Sequence, residues 1–405
     1  MPETLRLRFR GLHEAIADPR EGPGALLHTH AWPRPTVAVP PLGEAARAAF
    51  ALTESREPLP HVHRDETGYA AYPASVYTFR DAIVHGRAGL LGLGDVVVGE
   101  TTWHTTPESH RYTRDGDAVV LDAGAIRRLP GRSLSLLAAA DNYYHAVIDG
   151  VARLALVTDE MLAGVDRILL PDRGVGQAEL MRLYGLPLSI PVQHVAGHET
   201  FKAEELVFPT SLHGVFDYHP RMNAFFDRIL ANTPAQATGR ERIYVDRRGS
   251  PLRVLRNEDE VAAALHDLGF AIVRLEDLSQ EEQIAAFRDA RVIVSPHGAG
   301  LTNLGFSAPG TIVVELMMDA YLNWCYRRQA AIRGLRYECV LGRAVRPWRP
   351  IDPAFHAQQW DVSVSDVVET VRALAPGRPQ DPLVRFGLLA ALRTAFSSAN
   401  SGRRA

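Results

Sequence analysis

The stretch from Glu241 to Leu316 alternates apolar, β-like runs with amphipathic helical ones, and this alternation constrains the chain more than any other feature. Strand candidates fall at 242–247, 270–275, 291–295 and 311–316. Between the first two, Asn257 stands as a helix cap ahead of Val261, Leu265 and Leu268, with Glu260 three residues on and Gly269 to end the helix. Between the next two, Ser279 and Glu282 form a capping box ahead of Ile284 and Phe287. Helices alternating with apolar strands predict a parallel, doubly wound sheet, which binds ligands at the carboxyl ends of its strands. The loop Ser295-Pro296-His297-Gly298-Ala299-Gly300 falls at one such end, and Arg247-Arg248 at another.

At 405 residues the chain exceeds one compact domain, so two domains are expected. Basic residues number 44 against 47 acids, giving a net charge of −3, so no global field favours nucleic acid. Lys202 is the single lysine, a bias of GC-rich and, by expectation, bacterial coding sequence that weakens any argument from one arginine. Cys325 and Cys339 are too few for a disulfide framework, which fits a reducing, cytoplasmic compartment. No basic-then-apolar leader opens the sequence, and no apolar run reaches the roughly 20 residues of a membrane span.

Residues 1–60 are rich in Pro and Arg, and short β-like runs follow from Ser75 to Gly99. A helix is expected over 142–157, then strands at 167–170 and 205–208 flanking a helix near 177–184. The segment 232–239 has linker composition and marks the predicted boundary between residues 1–231 and 240–342. Past Arg343 the pattern loosens, with a helix near 365–374 and a tail.

Four constellations have the residue types for chemistry. In the first, a strand ends in small residues and runs straight into a helix, so unpaired N–H groups of Gly298, Ala299 and Gly300 can cradle a phosphate while His297 adds a donor. It lacks the third glycine of a dinucleotide fingerprint and any P-loop lysine. In the second, Arg247 and Arg248, with Arg253 and Arg256 close behind, offer guanidinium forks that match phosphate oxygens; a solvated basic turn is the bland alternative. In the third, His145, Asp149 and Arg153 recur at helical spacing opposite an apolar face of Tyr144, Val147, Val151 and Leu154. His and Asp are the usual general bases, against the alternative of a weak Asp149–Arg153 surface pair. In the fourth, Glu315 near a strand end offers a carboxylate for ribose hydroxyls. His61/His63 and His194/His198/Glu199 have metal-like spacing without a full ligand set, and Asp115-Gly116-Asp117 reads as a β-turn.

Together the run Ile243–Arg248 with Arg253 and Asn257-Glu258, the run Ala290–Asn303 and Val314-Glu315-Leu316, preceded by Asn142-Tyr143-Tyr144-His145, Asp149 and Arg153-Leu154, resemble glycosyltransferase family 61. The resemblance is dense from about residue 140 to 320. It implies an α/β fold of two Rossmann-like domains facing across a cleft, the GT-B architecture, and an inverting transfer from a nucleotide-sugar donor. By that resemblance residues 1–231 form the acceptor side and 240–342 bind the donor, with 343–405 packing back on the N-terminal domain. Arg247, Arg248, Arg253, His297, Gly298, Ala299, Gly300 and Asn303 would hold the donor, and Glu315 would sit near its ribose. His145 and Asp149 would be catalytic and Arg153 would line the cleft. Asp246, Ala146 and Ala152 depart from the family pattern, where serine, an aromatic and proline are usual.

Sugar transfer builds charge on the departing diphosphate, so fixed guanidinium groups and a helix N-terminus lower its barrier, while one base takes the acceptor proton. No metal or cofactor is expected. The expected partners are a nucleotide-sugar and a glycan or lipid-linked glycan, not nucleic acid, with peripheral membrane contact through the basic, apolar stretch 383–393. The competing readings are an inactive nucleotide- or glycan-binding module of the same fold and another nucleotide-sugar enzyme.

Overall fold

The computed structural model describes residues 3–17, 26–54, 66–102, 105, 111–138, 142–214, 217–235, 237–346 and 358–375. The stretches 61–63 and 383–393 lie outside the described residues.

The chain folds around two large sheets. The first has eleven strands, and its parallel part holds β2 (Ile126–Ser135), β3 (Arg167–Pro171), β4 (Val192–Val195) and β5 (Thr200–Pro209) in the order β4-β3-β2-β5. On the far side of β5 the sheet turns antiparallel through β1 (Ser75–His85), pairing from Thr200–His85 to Pro209–Val76. It then continues through Leu90–Leu93, Val96–Val98, Glu3–Arg10, Ala118–Gly124 and Tyr112–Asp115. The expected Rossmann-like N-terminal domain is thus realised in four strands only. The rest combines local hairpins with strand Glu3–Arg10, which joins Val96–Val98 in parallel and Ala118–Gly124 antiparallel across long sequence separations that local periodicity does not reveal. Asp115-Gly116-Asp117 is the expected turn, with Gly116 at φ +62° between two paired strands.

The second sheet follows the reading of 241–316 closely. Strands β6 (Arg242–Val245), β7 (Ala271–Val273), β8 (Val292–Pro296), β9 (Ile312–Met318) and β10 (Arg336–Ala344) are parallel, in the order β7-β6-β8-β9-β10. The chain leaves β6 toward β7 on one side and returns to β8 on the other, so the strand order reverses between β6 and β8. Helix Gln280–Asp289 starts with the predicted capping box. Asn257 instead exchanges bonds with the Val362 backbone, so its carboxamide ties the C-terminal segment down.

Two expectations are corrected here. The described part of the C-terminal extension does not pack on the N-terminal domain. Gln359–Asp361 pairs with β10 and with Val254–Leu255, and helix Val364–Leu374 lies against helix Glu258–Asp267, burying Trp360, Val367 and Val371 in the second sheet's core. Nor are the two sheets separate bodies. One apolar cluster runs from Leu134, Leu154 and Phe225 through Ile243 and Phe287 to Phe306 and Trp324. At its centre Phe226 meets Phe306 edge to face at 5.0 Å, seated where Gly305 leaves no room for a Cβ. Thr238, inside the predicted linker, donates its N–H to Asp289 at 2.7 Å.

Candidate functional site

Each parallel sheet has one reversal of strand order, and the candidate residues collect at both. In the first sheet the reversal lies between β2 and β5. The segment after β2 forms a wide π-helical turn, His145–Gly150, followed by a 3₁₀ helix, Val151–Leu156, in place of the predicted regular helix. Gln177 packs against this turn. Its buried amide donates to the Ala146 carbonyl at 3.1 Å, and Gly150, lacking a side chain, lets it approach. Val151 N–H then reaches back to Ala146 O and Val147 O.

This turn keeps His145 and Asp149 together but takes Arg153 off their face. His145 Nδ1 lies 2.6 Å from Asp149 Oδ2. Arg153, buried, donates to the carbonyls of Gly150, Leu137 and Pro209, pinning the ends of β2 and β5 to the helix. Burial pushes its pKa down to about 10, with Asp149 opposing.

His213, which the sequence reading missed, completes the cluster. It follows β5 and sets Nε2 2.5 Å from Asp149 Oδ1 and Nδ1 2.9 Å from the Gly214 carbonyl. Its ring stacks on Tyr218 at 4.9 Å. A carbonyl only accepts and Asp149 is ionised, so both ring nitrogens donate and His213 is an imidazolium. Burial opposes its charge, yet the Asp149 carboxylate, with Gly214 and Asp217, raises its pKa. Burial likewise opposes the Asp149 charge, but His213 and His145 hold that carboxyl well below its usual range. A chamber of about 340 Å³ opens beside Asp149, Arg153 and His213.

In the second sheet the reversal lies between β6 and β8, whose carboxyl ends deliver Arg247 and His297. Arg247 donates from Nη1 to the His297 carbonyl at 2.7 Å and from Nη2 to Ser250 Oγ at 2.9 Å, while Glu258 accepts its backbone N–H. Burial first, then like charge from Arg253, lowers the Arg247 pKa. Arg253 sits at φ +53°, a left-handed conformation unfavourable for a side chain this bulky, with its guanidinium 4.8 Å from the Tyr321 ring. Its buried Nε has no hydrogen-bond partner among the described residues. Neither Arg247 nor Arg253 forms an ion pair among those residues.

Other expected donor-binding residues are placed differently. Arg248 turns outward to Asp246, at 2.5 and 2.8 Å, and to Asp259 at 2.7 Å, so the charge of Asp246 is absorbed locally. Gly298 is buried in extended backbone, and a Cβ there would lie 2.4 Å from Arg247 Nε, so its missing side chain makes room for the guanidinium. Ala299 and Gly300 remain partly exposed at the start of the 3₁₀ helix Ala299–Phe306. Asn303 is fully buried, accepting from Tyr143 OH at 2.7 Å and donating to Gln283 at 3.0 Å, which bridges the two sheets. Glu315 has no exposed surface for a ribose. One oxygen lies 2.5 Å from His297 Nδ1 and the other accepts from Tyr337.

His297 itself is neutral. Burial lowers its pKa, and Arg253 and Arg247 push it further down against Glu315. With Nδ1–H committed to Glu315, Nε2 is an acceptor, not the donor expected from sequence. His194 bonds the Pro171 carbonyl, and no group of three metal-ligating side chains occurs among the described residues.

A ladder of rings joins the two ends. Tyr326 stands 5.1 Å from His297 and 6.0 Å from Tyr144, whose ring lies 5.1 Å from His145 and 6.3 Å from His213. The two signatures, separated by about a hundred residues, thus line one continuous region.

Comparison with known proteins agrees with this picture. Residues 143–314, running from the π-helical turn to β9, match the family described as Glycosyltransferase 61. A β-1,2-xylosyltransferase of Arabidopsis thaliana is 30% identical over 99 residues, covering 21% of this chain and 18% of the relative's length. Over residues 143–314 the chain is thus similar to glycosyltransferase 61.

Proposed function

We propose that the protein transfers a sugar, with inversion, from a nucleotide-sugar to a hydroxyl acceptor, in a two-lobed arrangement of the GT-B kind. The observation that carries this reading is the pair Arg247 and Arg253. Two crowded cations at a strand-order reversal, without a carboxylate partner among the described residues, are arranged for an anion from outside. The donor's diphosphate lies across these guanidinium groups and the N–H groups of the half-buried residues Ala299 and Gly300. There the fixed positive charge stabilises the leaving group as its bond to the sugar breaks. His297 Nε2 accepts a donor hydroxyl, and Glu315 and Tyr337 hold the imidazole in that tautomer.

The acceptor side is the His145–Asp149–His213 cluster, in which His145, held through Nδ1 by Asp149, takes the acceptor proton while His213 keeps the carboxylate in place. Since guanidinium groups supply the positive charge, the reading asks for no metal. Turnover that survives EDTA is its expected outcome, and loss of turnover restored by a divalent cation overturns that part. The test of the whole is incubation with a panel of UDP-, GDP- and CMP-sugars. Release of nucleotide coupled to a glycosylated product is expected, and binding without transfer for every donor would identify an inactive module instead. No helix among the described residues is long and apolar enough to cross a membrane.

A further inference from the structure

The chamber beside Asp149 is built mainly of side chains the reaction does not use. Its walls come from widely separated elements: Leu12 and His13 near the N-terminus, Tyr72 and Tyr77 at the start of β1, Ala88 and Gly89 in the turn after β1. Val98, Leu137, Ala138 and Phe208 add apolar surface, so an aliphatic and aromatic cup encloses one wall of ionisable groups. At about 340 Å³ it is near the lower end of the range for small-molecule sites, on the order of 300–1,000 Å³, which suits a ring compound more than an extended chain.

The polar groups on the walls decide the chemistry. Two carboxylates, Asp149 and Glu100, border the space. Glu100 receives the Leu12 N–H at 2.9 and 3.0 Å, and all three nitrogens of Arg153 are given to carbonyls. His213 carries positive charge, but its ring nitrogens are given to Asp149 and Gly214. The hydroxyls of Thr101 and Ser211 donate to backbone carbonyls, and Thr210 accepts the Ser75 N–H. Apart from the exposed His13 at the edge, the described lining offers no uncommitted basic side chain, so a phosphate or carboxylate seated beside Asp149 and Glu100 would lose its hydration without a counter-charge. An apolar face has Tyr72, Tyr77 and Phe208 to lie against.

We propose that this chamber is an acceptor pocket for an uncharged, hydroxyl-bearing ring compound with apolar faces, seated on the aromatic cup with its polar edge toward Asp149 and His213. The proposal rests on the reading of Asp149 and its histidines as the reacting end. It sets the acceptor class apart from anionic, phosphate-linked carriers.

The experiment uses the full chain without donor, and a panel of 4-nitrophenyl pyranosides paired with their uronides, which differ by one carboxylate. Saturation-transfer NMR and titration are expected to show an uncharged pyranoside binding, with its uronide at least about tenfold weaker because it meets two carboxylates. Ala88→Leu, at a partly exposed turn, fills the chamber and is expected to weaken pyranoside binding at least about tenfold. Tyr72→Leu removes a stacking face and is the second variant. Melting curves verify that both fold. Equal affinity for the uronides, no pyranoside binding, or binding unmoved by both variants overturns the proposal. Nucleotide titration and turnover run in parallel separate this from the broader reading. Pyranoside binding blocked by Ala88→Leu, with no transfer from any donor, leaves the chamber standing and removes the transferase. Transfer to some acceptor at an unchanged rate in Ala88→Leu does the reverse.

Discussion

The two strand-order reversals handle charge in opposite ways. At the first, Asp149 lies between two imidazoles and the His213 imidazolium answers its charge at 2.5 Å, so the cluster is balanced within itself. At the second, Arg247 and Arg253 repel one another, Glu258 is spent on Tyr244 and the Arg247 N–H, and Glu315 is spent on His297 and Tyr337. In the proposed reading the balanced cluster serves the acceptor proton and the unbalanced one receives the donor's anion. The same topology thus supplies two crevices with different electrostatic tasks.

The largest expected effect tests the balanced side. Asp149→Asn should lower kcat by about 10²–10⁴-fold while leaving nucleotide affinity unchanged. Calorimetry with UDP, GDP and CMP compounds checks the second half, and a matching loss of nucleotide affinity would break the division of labour. Next, Arg247→Ala or Arg253→Ala should weaken nucleotide-diphosphate binding by roughly 10–100-fold, the size of a hydrogen bond to a charged group. Binding that stays constant in both variants would move the anion elsewhere.

The pH dependence of stability sharpens the comparison further. The folded pKa of His213 is raised above its ordinary 6.5, so its stabilisation is full below 6.5 and fades as pH climbs through the raised value. The folded pKa of Asp149 is depressed below 3.8, so its stabilisation is present above 3.8 and is lost in acid. The gap in melting temperature between the wild type and His213→Gln should therefore be widest between pH 3.8 and 6.5 and narrow above that window. A gap that widens from pH 6.5 to 9 would contradict the imidazolium assignment. The smallest effect belongs to Arg248→Ala, whose half-exposed guanidinium is spent on the buried Asp246 and the exposed Asp259. Nucleotide affinity should change by less than about threefold.

What was legible in the sequence is what is encoded locally. Strands β6 to β9 and the Ser279–Glu282 cap were readable because each element announces itself within a dozen residues. The mixed half of the first sheet was not, since Glu3–Arg10 finds its antiparallel partner at Ala118–Gly124 across more than a hundred residues. His145 and Asp149 showed through helical spacing, yet the π-helical turn did not, since the Gln177 amide that bonds it comes from another element. His213 had one faint signal, its position just past the expected strand 205–208, where ligands of such sheets gather. The unequal fates of Arg247 and Arg248 were beyond reach. Neighbours in sequence point to opposite sides, one over Gly298 and one toward Asp246 and Asp259.

The wedge of Phe226 against Gly305 and Phe306 has a consequence for how the chain is made. Neither half owns a complete interior, because the apolar surface of each is finished by the other. A ribosome that has released only the first 235 residues leaves Phe225, Phe226 and Leu154 facing water until β8 and the segment after it emerge. Fragments divided near Gly239 should consequently be sticky and poorly folded alone, and soluble when produced together.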